Sequence, residues 1–72
     1  MTPDEIIAAV YAELTRLYGE RYTRHCTLFY QHSWFYLSLP IQQKSRRYTP
    51  DPILTPYRKA DILAWLEELR KI

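Results

Sequence analysis

One glycine, Gly19, one cysteine, Cys26, and no long apolar run set the first bounds on this 72-residue chain. A lone thiol excludes an internal disulfide, and two histidines without zinc-type ligand spacing exclude a metal staple. No apolar stretch approaches the roughly 18–20 residues of a membrane span. The N-terminus, Met1-Thr2-Pro3-Asp4-Glu5, has no basic segment of the kind a secretory signal carries. With the single thiol, that points to a reducing cytoplasm, without a cofactor or a membrane partner. A chain of this length lies near the lower limit for folding unaided. Its stability must therefore come from a dense apolar core, a partner or self-association.

The composition supplies such a core. At 47% hydrophobic and 15% aromatic residues the chain is too apolar for a disordered tail. Net charge is only +2, but it is unevenly placed. Residues 21–59 hold seven Lys/Arg against the single acid Asp51, a balance of +6, while residues 1–20 carry −3 and residues 60–72 carry −1. Positive charge gathers in the middle of the chain.

The first element reads as a helix over about 3–18. Thr2 can cap it, Pro3 suits its first position, and Glu5 lies three residues after the cap. Ile6, Ile7, Val10, Leu14, Leu17 and Tyr18 recur at three- and four-residue spacing, and Gly19 supplies the stop. A β-hairpin follows over about 24–40. A tight turn at His32-Ser33 pairs Tyr30 with Phe35, Leu28 with Leu37 and Cys26 with Leu39, placing these six residues on one face. The other face then carries His25, Thr27, Phe29, Gln31, Trp34, Tyr36 and Ser38. A slip of one residue would mix the two sets, so the alternation itself argues for this register. His-Ser is a poor two-residue turn, and a longer loop with the same pairing fits equally.

Residues 41–55 read as a loop, with a third strand possible at 46–49 beside the hairpin. A second helix is expected over about 56–71, opened by Thr55-Pro56 and carrying Ile62, Leu63, Trp65, Leu66 and Leu69 inward. The expected fold is α+β, in the order α-β-β-(β)-α, with two helices on one face of an antiparallel hairpin or three-stranded sheet. This order is similar to that of the double-stranded RNA-binding fold, and Arg58-Lys59 at the helix start resembles its basic helix opening. The likeness is one of topology alone.

Two features carry functional expectations. Phe29, Trp34 and Tyr36 share the sheet face that the helices leave uncovered, and three such rings can present several hundred Å². The competing structural explanation is ordinary cross-strand pairing, or burial in a homodimer. Lys44, Arg46 and Arg47 lie in the loop, and Arg58 and Lys59 fall in the first turn of the second helix, where cations oppose the helix dipole. A local rule broken in this way can mark a functional demand. A solvated basic surface is the plain alternative.

Aromatic faces that stack bases, with cations beside them for phosphate, suit nucleic acid. The expectation is a non-enzymatic nucleic-acid-binding module using Phe29, Trp34, Tyr36, Lys44, Arg46, Arg47, Arg58 and Lys59. The alternative is a protein–protein interaction module, a homodimer, adaptor or inhibitor, built on the aromatic face. A third reading is a metal-independent ribonuclease using His25 or His32 with Arg46, Arg47 and Tyr48. His25 and Cys26 are adjacent strand residues and point to opposite faces, so they form no Cys-His dyad. The seven tyrosines suit a thin core's boundary as well as an interface and decide nothing.

Overall fold

Residues 1–72 are described by a computed structural model, which opens on α1 (Pro3–Tyr18). The Thr2 hydroxyl accepts from the Glu5 amide at 3.2 Å, and the Glu5 carboxylate accepts from the Thr2 amide at 3.0 Å. The reciprocal pair satisfies two of the donors that a helix start leaves unbonded. The bond from the Thr2 amide holds the Glu5 carboxyl below its ordinary pKa. Ile6, Val10 and Leu14 are buried, Ile7 and Leu17 are half-buried, and Tyr18 at the end of the stripe is exposed.

Gly19 does more than stop the helix. With φ at +89° it redirects the chain into a single further turn, α2 (Glu20–Thr23), before the first strand. The Thr15 hydroxyl donates to that of Thr23 at 3.2 Å, tying this turn back to α1. The hairpin therefore starts later than expected, with β1 (Thr27–Gln31) and β2 (Trp34–Ser38). Its register is the one the alternation predicts: Leu28 opposite Leu37, Phe29 opposite Tyr36, Tyr30 opposite Phe35. His32 and Ser33 form the whole connection, with φ of 52° and 70°. Positive φ at both positions defines a type I′ turn, whose twist matches the strands. Face segregation fixes the register even though neither turn residue favours that conformation.

The third strand lies elsewhere than expected. β3 (Ile41–Gln42) and β4 (Tyr48–Thr49) pair only with each other, while β5 (Thr55–Tyr57) joins the outer edge of β2. Thr55-Pro56 is thus strand, not helix cap, and α3 spans Lys59–Lys71 with Arg58 as its N-cap. The pairing explains how a proline fits. A two-residue turn closes on a hydrogen-bonded pair, so the bonded pairs alternate back to Phe29–Tyr36, and Phe35 and Leu37 face β5. Pro56 sits opposite Tyr36, with its nitrogen turned to the free edge, where no ladder bond is lost.

The sheet is ordered β1-β2-β5, and both long helices cover one face of this α+β fold. Ile6, Val10 and Leu14 of α1 meet Ile62, Leu66 and Leu69 of α3 over Leu28, Phe35 and Leu37, with Cys26 beside them. Leu39 is half-buried against this core. Tyr30 is 42% exposed at the turn end, its ring 4.9 Å from that of Phe35. Arg16 closes the far end: its guanidinium donates to the carbonyls of Leu69 and Ile72 at 3.0 and 3.2 Å, caps the C-terminus of α3, and holds Glu13 at 2.7 Å. No helix is long and apolar enough to cross a membrane.

Candidate nucleic-acid interface

The face away from the helices is built by strand alternation. Phe29, Trp34 and Tyr36 are half-buried, and none of them packs against the core cluster. Phe29 and Tyr36 stack across the hairpin, ring centroids 5.2 Å apart and planes 23° apart. Pro56 adjoins Tyr36 in the next strand, extending that row. Arg58 is still extended, at φ −81° and ψ 161°, so the alternation of β5 runs through it to the same face before α3 begins. Its guanidinium carbon lies 4.5 Å from the Trp34 ring centroid.

This contact supplies a structural reason for a cation at the start of α3. Arg58 lies over the Trp34 ring, and Asp61 offsets its charge in the first helical turn, its carboxylate accepting from the Arg58 amide at 3.4 Å. A guanidinium has no acceptor atom, so this cap is one-sided. The contact with the ring uses none of the guanidinium's hydrogen bonds, so its N–H donors stay available to an acceptor. Lys59, next in the chain, is exposed.

The five expected basic residues do not form one cluster. Lys44, Arg46 and Arg47 lie in and beside the β3–β4 turn, all exposed, with Arg46 at φ 63°. That turn follows the Ser38 end of β2, whereas Arg58 and Lys59 adjoin the Trp34 end. Four residue steps separate the two ends, about 13 Å of strand. The cations therefore fall into two groups, Arg58 and Lys59 beside Trp34 and the β3–β4 turn beyond the Ser38 end of the hairpin. Ser38, expected among the open polar flank, is buried, and its hydroxyl has no hydrogen-bond partner. It lines a small cavity with Asp51, Ile53 and Thr55, which close over that end of the sheet.

A second basic group was not anticipated from the sequence. Arg21 and Arg24 of the α2 region, with His25, Arg47 and Tyr48, line a cleft of about 240 Å³. Tyr22 holds its two walls together: it packs against Tyr18 at 4.7 Å and meets Tyr48 edge-on at 5.3 Å and 86°. Burial, with Cys26, Tyr18 and Tyr48 as neighbours, pushes the Tyr22 phenol up to about 12. Arg21 and Arg24 contribute to the positive middle of the sequence, but nothing in their spacing announces contact with residues 47–48.

Cys26 offers no chemistry. It is buried, its thiol lies 3.7 Å from the Tyr22 carbonyl, and burial pushes its pKa up to about 11. His25 and His32 stand at opposite ends of β1 and cannot act as a pair. His25 shares the arginine cleft with Arg47 and Tyr48, while His32 is exposed in the turn. No group of three His, Cys, Asp or Glu side chains is placed to hold a metal ion. An apolar cleft of about 400 Å³ also opens between α3 and the sheet, lined by Leu37, Leu39, Tyr57, Asp61, Ile62 and Trp65.

No family model matches this chain. Neither does any curated protein or solved structure, so the geometry alone carries the functional argument.

Proposed function

We propose that this is a non-enzymatic, cytoplasmic nucleic-acid-binding module whose open sheet face receives unpaired bases. The observation that carries this reading is the pair of aromatic rows off the core, Phe29–Tyr36 and Trp34–Arg58, with cations beside Trp34 and beyond the Ser38 end of the hairpin. Each base has a π-face that can stack on such rings, and stacking is worth about 1–3 kcal/mol per base. Arg58, Lys59, Lys44, Arg46 and Arg47 supply the charge that tracks phosphates. Binding to a single-stranded oligonucleotide should weaken as salt rises. Arg46→Ala should lower the magnitude of the salt slope by about 0.7, the contribution of one phosphate on a single strand. Binding that is undetectable at low salt, or indifferent to salt, contradicts the proposal.

One observation favours a second reading, self-association. The free edge of β1, Thr27-Leu28-Phe29-Tyr30-Gln31, has no charge, no proline and no bulge; the Tyr11 hydroxyl covers its start, at the Cys26 carbonyl and the Leu28 backbone, and beyond that the edge at Tyr30 pairs with no other strand. The opposite edge is shortened to three residues and blunted by Pro56. Unguarded edges of this kind pair with other chains. Sedimentation across a hundredfold concentration range decides it: a dimer abolished by Thr27→Lys supports edge pairing, and a constant monomer mass rules it out.

A further inference from the structure

The arginine cleft between α2 and the β3–β4 hairpin stands apart from the stacking rings, and the geometry points to its ligand: the terminal phosphate of a nucleic-acid strand. This rests on the nucleic-acid reading above and specifies which part of the strand is anchored, and where.

The cleft gathers like charge without neutralising it. The molecule's three ion pairs are Arg16–Glu13, Arg70–Glu67 and Lys71–Glu68, so Arg21, Arg24 and Arg47 have no carboxylate partner. Glu20, next to Arg21 in the chain, does not line the cleft. Asp51 accepts from the Ile53 amide at 2.9 Å in its own turn and does not line it either. The arginines come from segments more than twenty residues apart, and the Tyr22–Tyr48 contact holds those segments together. Their mutual repulsion is therefore opposed by aromatic packing, and an anion would relieve it.

The number of donors selects the anion. An internal phosphodiester carries one negative charge, whereas a phosphomonoester carries about −1.5 to −2 and presents three acceptor oxygens. Guanidinium forks bind such oxygens two at a time. Three arginines, with His25 and Tyr48 also lining the cleft, exceed the needs of a diester and match those of a monoester. The cleft's position agrees. It adjoins the Thr27–Ser38 end of the sheet, so a strand anchored there lies about 13 Å from Trp34 and reaches the Phe29–Tyr36 row before it, past the covered Ser38.

Calorimetric titration of one single-stranded sequence carrying a 5′-phosphate, a 3′-phosphate or hydroxyls only tests the inference. One phosphorylated form is expected to bind about tenfold tighter than the hydroxyl form. In Arg21→Ala/Arg24→Ala the ratio of the two affinities should fall to about one. Both side chains are exposed, and each single variant carries the same test should the double variant fail to fold. Equal binding of all three strands, or a preference that survives the substitutions, overturns the terminal-phosphate site and leaves the stacking face standing. Absence of binding by every strand overturns both.

Discussion

Trp34 and Phe35 are sequence neighbours with opposite duties, because adjacent strand residues face opposite sides. Phe35 is fully buried, and its truncation to alanine should cost about 3–5 kcal/mol. Trp34 touches Arg58 and lies outside the core, so Trp34→Ala should cost only about 1 kcal/mol in stability, from lost cross-strand and cation–π contact. It should nonetheless weaken oligonucleotide binding by about 1–3 kcal/mol. Chemical denaturation and a binding titration on the same two variants separate the roles.

A second prediction at the residue scale concerns alkaline pH. Native Cys26 and Tyr22 ionise near 11 and 12, against ordinary values of 9.0 and 10.0. Their neutral forms are thus favoured by folding. The stabilisation is complete below the ordinary values and is lost as pH rises through the native ones, because the unfolded chain sheds these protons first. Urea midpoints should fall from about pH 9 to about pH 12, and Cys26 should resist alkylation at pH 8 until the chain unfolds. The roles of Phe29, Trp34 and Tyr36 as partners on one face were legible in the sequence, since period-two alternation places them. Arg21 and Arg24 were not, because their relation to Arg47 passes through the Tyr22–Tyr48 contact, which no local spacing encodes.

At the scale of elements, the long helices and the hairpin register followed from periodicity, while the connections did not. Thr55-Pro56 is as suitable for a helix start as for an edge strand, and the free edge of β2 decides between them. Residues 46–49 formed no strand beside the hairpin because Tyr48 and Thr49 pair with Gln42 and Ile41 instead. The His32-Ser33 turn offers a direct test of what fixes the register. Two non-glycine residues with positive φ are disfavoured, by roughly 1–2 kcal/mol each in the least tolerant cases. Replacing them with Asn-Gly should raise stability by about 1 kcal/mol with the pairing unchanged. A thermal melt and the cross-strand contacts of Phe29 and Tyr36 by NMR check both halves. Loss of stability would mean that His32 or Ser33 makes a contact the turn depends on.

The whole molecule is a slab of 37 × 26 × 16 Å. A thickness of 16 Å holds one helix layer, about 10–12 Å across, on one sheet, and no second layer. The aromatic face is left open for that reason, and several tyrosines end half-buried at the margins of a thin core. The positive charge counted over residues 21–59 separates in space: Arg58 and Lys59 at the turn end of the sheet, Arg21, Arg24 and Arg47 with the β3–β4 turn at the other. Sequence revealed the excess but not this division, which depends on where β5 and the short hairpin attach. A strand lying across the aromatic rows would meet Arg58 and Lys59 beside Trp34 and the other group beyond the Ser38 end.

The most direct test is the affinity of the intact chain for a mixed-sequence single-stranded oligonucleotide at 50 and 200 mM salt. Contact of the five cations Lys44, Arg46, Arg47, Arg58 and Lys59 with one phosphate each predicts a log–log slope of about −3.5, so affinity should fall roughly a hundredfold over that range. No binding at 50 mM, or equal binding at both concentrations, would contradict the account.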